Sequence, residues 1–257
     1  MLVRAMQIGT ERLYRAEEKL ETGQCTAMDA DSGYVPAGFK QKSKDLQFKF
    51  DALFANTGSV AAAQFLEKNI RFASSSFIKS IEPIVGSPGL SPFTLSGSVL
   101  NSGNEVFMKA AIQENVSLIK SVNSKYFERI EKAIADSLSG KSSKSVYQSI
   151  KDIGGMSERQ AKFIARDQNS KIYSQLNVEN MKKAGITKCE WAHSGAGKKP
   201  RTYHQRRWDG TSEPPNGLNG YVFEVTNPPI SDLKTGERAL PGMLINCRCV
   251  LLPVVDF

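Results

Sequence analysis

Apolar residues recur every three or four positions over most of the first two-thirds of the chain, the spacing of helices that bury one face. Leu2, Met6, Leu13 and Leu20, set among charges, predict an amphipathic helix at the start. MDADSGYVPAGF, 28–39, reads as a loop from its Gly, Pro and Asp content. Leu46, Phe50, Leu53 and Phe54 return to helical spacing, and a second helix is expected from about Ser59, after Gly58, to Ile81. Glu82-Pro83 ends it, because a proline ring disfavours helix in the residue before it. VGSPGLSPFTLSGS, 85–98, is an irregular connection rich in turn residues.

The longest periodic run is Glu105 to Leu138, where Val106, Ala110, Ile112, Val116, Ile119, Val122, Phe127, Ile130 and Ile134 keep the rhythm. Such a helix spans about 50 Å at ~1.5 Å per residue. Ser139-Gly140 is its expected stop. SVYQSIKDI predicts a short helix closed by Gly154-Gly155. A strong one follows, with Ser157 and Gln160 as a capping box and Gly185 as the C-terminal cap.

After Gly185 the period changes from helical to alternating. ITKCEWAHS reads as a strand with Cys189, Trp191 and His193 on one face. GAGKKPRTYHQRRWDG is a basic loop with about two helical turns. TSEPPNGLNG is turn-rich, YVFEV a strand, TNPPISDLKTGERALPG a loop and CVLLPVV a final strand. The pattern predicts an α+β chain: a long-helix N-terminal region over 1–140, then a small mixed α/β C-terminal unit with short strands over 141–257.

Composition adds limits. Hydrophobic residues make up 40% of the 257, which argues against disorder. Lys plus Arg exceed Asp plus Glu by 34 to 26, a net +8. That excess favours polyanionic partners such as nucleic acid, or acidic protein surfaces; a merely soluble basic protein is the alternative. No stretch approaches the ~20 apolar residues of a membrane span. The start lacks an apolar segment with a cleavage site, so no signal peptide is expected. Four cysteines are too few for a disulfide scaffold, so synthesis in a reducing cytoplasm is expected.

The chemistry concentrates near the C-terminus, which holds both histidines, both tryptophans and three of the four cysteines. Neutral imidazole and thiolate are ligands that zinc prefers. Cys189, His193, His204, Cys247 and Cys249 are candidates for one structural zinc, with Cys189, His204, Cys247 and Cys249 as the favoured set. Spacing argues against it. Cys247 and Cys249 are one residue apart, and on a straight strand their Cα atoms sit ~6.5–7 Å from each other. The alternative is no cofactor, with the cysteines as small buried apolar groups and each histidine satisfied by hydrogen bonds.

Lys198, Lys199, Arg201, Arg206 and Arg207 form a basic run with Tyr203, His204 and Trp208 interleaved. Such a run can bind phosphates and stack on bases, or its arginines can pair with Asp209 or Glu224 and stack on Trp208 as structure. Arg201 and His204 are expected on one face of the short helix, with Asp209 just past it. His204 with Asp209 or Glu190 as a general base gives the alternative function, a metal-dependent nuclease or hydrolase. No phosphate-cradling GxxxxGK[ST] loop and no nucleophile motif occurs. Glu128 and Glu131 on the long helix read as a solvated face.

From the helix before Gly185 onward, the elements KCEWAHSG, KPRTYHQRRWDG and PGMLINCRCVLLPV follow in order. That order resembles the phage Mu F-like minor head proteins, also called head morphogenesis proteins, of tailed bacteriophages. Arg166, Trp191, Arg201, His204, Gly210, Pro241, Gly242, Asn246, Cys247, Arg248 and Cys249 occupy the family's positions over roughly 145–254. Two departures stand out: Arg166-Asp167-Gln168 where the family often has Arg-Thr-Glu, and a basic Gly-Ala-Gly-Lys-Lys loop where it often has an aspartate.

The resemblance implies a structural virion protein of few copies, not an enzyme. It would sit in the capsid interior near the portal, after assembly in the host cytoplasm. The implied partners are the portal protein and, without sequence preference, the double-stranded DNA genome, with scaffold or major capsid protein as further candidates. Its roles would be assembly, packaging or genome delivery. Some relatives carry toxin domains downstream of this signature, and with Phe257 eight residues beyond Cys249 none is expected here.

Overall fold

The computed structural model describes residues 2–22, 35–82, 105–139, 141, 144–195 and 199–255. The chain is α+β, as the pattern predicts. Among the described residues four long helices, α1 (Leu2–Thr22), α2 (Phe39–Ile81), α3 (Glu105–Leu138) and α4 (Val146–Lys183), precede β1 (Lys188–Ala192) and the short α5 (Thr202–Gln205). Strands β2 (Val222–Glu224), β3 (Ile230–Asp232), β4 (Glu237–Arg238) and β5 (Val250–Val254) follow. Most of the loop read at 28–39, the connection at 85–98 and the helix stop at Gly140 lie outside the described residues. The chain divides into two compact units, one of Met1–Ala63 and Ile112–Ile164, the other of Gln64–Ala111 and Ala165–Phe257. No helix among the described residues is long and apolar enough to cross a membrane.

The core of the first unit joins Val3, Met6 and Tyr14 of α1 to Phe39, Phe50 and Phe54 of α2, Tyr126, Phe127 and Ile130 of α3, and Tyr147 and Ile150 of α4. The inward face of α1 therefore runs through Val3, Met6, Thr10 and Tyr14, rotated from the expected leucine stripe, and Leu20 is 76% exposed. Aromatic packing decides this: Tyr14 meets Phe39 edge-on at 5.1 Å and Tyr147 at 6.1 Å. Thr10 enters the buried face because its hydroxyl donates to the Met6 carbonyl at 2.8 Å.

Two expected breaks do not occur. α2 runs through Gly58, and α4 runs through Gly154-Gly155, so Ser157 lies inside the helix and caps nothing. At Gly154 the reason is tertiary. A Cβ there would collide with the Gln7 side chain of α1, so the glycine permits a close approach that offsets its cost of ~1 kcal/mol in a helix.

In the second unit, α4 ends as predicted. Gly185 turns left-handed at φ 70°, its N–H donates to Lys182, and Ile186 N–H reaches back to Met181 at 2.9 Å. The chain then enters a three-stranded antiparallel sheet of order β2-β1-β5, with Cys189 opposite Phe223 and Trp191 opposite Leu251. Alternation along β1 buries Cys189 and Trp191 and leaves Lys188 and Glu190 on the other face. Both join a core with Phe77, Ile81, Met181, Leu218, Phe223, Leu244, Cys247, Cys249 and Leu251. The stretch read as one loop before Pro241 contains the small β3-β4 hairpin, closed by a turn in which Gly236 (φ 73°) donates to Asp232.

Candidate functional site

The site is built by two successive turns at the end of the chain. Leu240 to Met243 forms the first, closed by Met243 N–H on the Leu240 carbonyl at 3.1 Å. Pro241 supplies its second position and Gly242, at φ 85°, the third, the pairing a type II turn demands. Gly242 also presses on its neighbours: a Cβ would lie 3.1 Å from the Ser170 carbonyl oxygen on α4 and 3.2 Å from that of Cys249. The second turn is closed by Cys247 N–H on Leu244 at 2.9 Å, and Asn246 takes the left-handed conformation there, φ 59°. Asparagine tolerates that region better than other non-glycine residues, which accounts for its place.

The peptide joining Ile245 to Asn246 is gripped from both sides. Its carbonyl accepts from the Arg201 guanidinium at 3.2 Å, and its N–H donates to the Asp167 carboxylate at 2.6 Å. Both bonds are charge-assisted, the stronger class. Asp167 is itself steadied by Lys171 one turn along α4, at 2.9 Å. Arg201 thus clamps the terminal turn.

These turns remove the geometric objection to a shared ligand. Strand β5 begins only at Val250, so Cys247 and Cys249 lie on bent backbone. His204 Nδ1 stands 3.6 Å from Cys247 Sγ and 3.8 Å from Cys249 Sγ. The three side chains are 2%, 4% and 6% exposed, and their donor atoms all lie within 4.8 Å of one another. His204 Nε2 lies 2.8 Å from the Ser231 carbonyl, which can only accept. Nε2 therefore carries a proton, and Nδ1 faces the sulfurs. The Trp191 ring meets His204 edge-on at 4.9 Å, and its buried Nε1–H has no hydrogen-bond acceptor.

Cys247 is held down, first by the hydrogen bond with Cys249 and, against the opposing effect of burial, by its contact with His204 and by backbone N–H groups of Cys249 and Gly242. Cys249 is pushed up by the same bond and by burial. An imidazole and two cysteines, buried and convergent, are a donor set compatible with a structural metal ion.

Cys189 does not join the set. It sits on β1 opposite Phe223 and Pro253, two residues and thus ~7 Å along the strand from Trp191, and its thiol is pushed up to about 12 by burial and then by Glu224. His193 lies past the end of β1 and accepts the Gly195 N–H. The expected pairing of His204 with Asp209 is not assembled either, because both nitrogens of His204 face other partners. Asp209 closes its own surface turn, accepting from Thr211 N–H, Ser212 N–H and hydroxyl, and Asn216. Those bonds, Ser212 foremost, hold its carboxyl down to about 2. Glu190 is on the opposite face of β1 from Trp191. The helix at Thr202–Gln205 is one turn, not two, and Arg201 is its N-cap, so exposed Arg201 and buried His204 do not share a face.

Lys199, Arg201, Arg206 and Arg207 are exposed, and Lys198 lies outside the described residues. The aromatics among them are engaged in structure. Trp208 packs edge-on against Tyr221 at 5.1 Å and donates to Ser212, and the Tyr203 hydroxyl donates to Pro215. Gly210 holds φ 90° in the Asp209 turn. Arg166 and Arg248 line an open depression of about 410 Å³ with Phe65, Ala165, Asn169 and Ser170. Two participants escape a reading of the sequence: Asp167, which grips the turn, and Ser231, whose carbonyl sets the histidine tautomer. The Asp167/Lys171 spacing of four was the available signal for the first; a backbone carbonyl leaves none.

Residues 128–252 match the family described as Phage Mu protein F like protein, so the resemblance read from the sequence is borne out over that stretch. An uncharacterized protein of Haemophilus influenzae is 33% identical over 164 residues, which cover 63% of this chain and 33% of the relative. The chain thus spans about a third of that relative's length. No solved structure matches.

Proposed function

We propose, on the premise that residues 128–252 form a phage Mu protein F like domain, that this chain is a minor head protein of a tailed phage. It acts in head morphogenesis from the capsid interior, beside the portal. The helical region 1–140 docks on the portal, and the basic run at 198–207 contacts the packaged DNA. The observation that carries this reading is the use made of the family's residues. Trp191, Arg201, His204, Pro241, Gly242, Asn246, Cys247 and Cys249 build one closed turn-and-core arrangement, and the open depression that Arg166 and Arg248 line has no carboxylate or histidine among its lining residues. A closed core suits architecture more than turnover.

The exposed cations Lys199, Arg201, Arg206 and Arg207, with Lys198, supply a DNA contact without sequence preference, consistent with the net +8. The experiment is co-purification of the chain with a portal ring, together with DNA binding measured against salt. The expected result is a stable portal complex and an affinity that falls steeply with salt. Replacing Lys199, Arg206 and Arg207 together by alanine should lower the salt slope by about 3, roughly one unit for each phosphate no longer neutralised. A chain that ignores both portal and DNA at low salt would end this reading.

A further inference from the structure

We propose that His204 Nδ1, Cys247 Sγ and Cys249 Sγ bind one zinc ion that clips the terminal turn to α5 and, through Trp191, to β1. The distances carry the argument. Zinc holds thiolate at about 2.3 Å and imidazole at about 2.0–2.1 Å, so in a tetrahedron nitrogen and sulfur stand about 3.6 Å apart. The Nδ1-to-sulfur distances of 3.6 Å and 3.8 Å already meet that requirement, and the three donors lie within 4.8 Å of one another.

Three further features fit a ligand set better than a self-sufficient hydrogen-bonded cluster. Nδ1 faces both sulfurs at once, the arrangement of ligands around one ion rather than of a single donor–acceptor pair. Its orientation is set from behind by the Nε2–H bond to the Ser231 carbonyl, the outer-shell contact that metal-ligating histidines generally make. The Trp191 Nε1–H is buried without an acceptor, which leaves a donor that a nearby ligand sulfur carrying negative charge would satisfy. The choice of two sulfurs and a nitrogen favours a thiophilic ion over magnesium or calcium.

Among the described residues no fourth His, Cys, Asp or Glu joins the cluster. With all three donors and Trp191 buried, it is no substrate site. The clip joins residues 204 and 247, far apart in sequence, where closing a long loop stabilises most.

The test begins with elemental analysis of the full chain purified without chelators. The expected content is about one zinc per chain. Stepwise mercurial modification of the native wild-type protein should release that zinc as two thiols react. Cys189→Ser should keep the full zinc content, and His204→Ala and Cys249→Ala should lose it. Protein that takes up no zinc even when the ion is supplied in excess overturns the proposal, as does loss of zinc in Cys189→Ser. Should the alanine variants not fold, the mercurial titration of wild-type protein decides: release uncoupled from modification of two thiols also overturns it. The outcome is independent of portal binding, so a chain that holds zinc but no portal would retain this proposal and lose the one above.

Discussion

Gly242→Ala and Gly210→Ala form a matched pair that isolates how the terminal turn is seated. Both glycines hold nearly the same left-handed backbone, φ 85° and φ 90°. An alanine incurs the same conformational penalty at each, roughly 1–2 kcal/mol. Their surroundings differ. The Cβ at Gly210 would meet nothing within 4 Å, whereas at Gly242 it would meet the Ser170 and Cys249 carbonyl oxygens at 3.1 Å and 3.2 Å. Neither neighbour is a flexible side-chain end, so backbone must shift, and overpacking a tight site adds about 1–3 kcal/mol. Gly210→Ala should therefore cost ~1–2 kcal/mol and Gly242→Ala ~2–5 kcal/mol. Both tryptophans, Trp191 and Trp208, lie in the second unit, so their fluorescence in a urea titration reports on that unit alone. With an m-value of ~2 kcal/mol per molar, the extra destabilisation at Gly242 lowers the midpoint by about 1 M beyond that at Gly210. Equal shifts would refute the close seating of the turn on α4.

Other outcomes follow from the same geometry. His204→Ala should destabilise the second unit by ~3 kcal/mol, by cavity formation beside Trp191 and an orphaned Ser231 carbonyl; denaturation with added Asp209→Asn should give additive effects, since the two residues share no partner. The Asp209 carboxyl, held down to about 2, supports its turn above the ordinary carboxylate range and ceases to do so as pH falls through about 2; a carbon NMR titration with its midpoint at the ordinary 3.8 would contradict this. The Cys189 thiol, pushed up to about 12, should resist iodoacetamide at pH 8 in native protein and react after denaturation, as read by mass spectrometry.

The strands of the small sheet were legible because alternation puts Cys189 and Trp191 on one face, and α3 was legible end to end from its period. Gly154 misled, because the signal of a helix break is local while the advantage of a bare backbone at Gln7 is tertiary. The β3-β4 hairpin was missed since strands of three and two residues are too short to show alternation. At the site, His204, Cys247 and Cys249 stood out by residue type. Their convergence did not, because it depends on the left-handed Asn246 and on a peptide held between Arg201 and Asp167. Cys189 looked equivalent to the terminal pair in sequence and is separated from it only by its register on β1.

Central to this picture is His204 as a built-in part of a closed core, oriented by Ser231 with its other nitrogen turned to the two sulfurs. Nitrogen NMR of the imidazole tests this most directly. The expected spectrum shows a single Nε2-protonated tautomer whose N–H exchanges slowly with solvent, in keeping with 2% exposure. An Nδ1-protonated ring, or an Nε2–H that exchanges as fast as one on the surface, would contradict it.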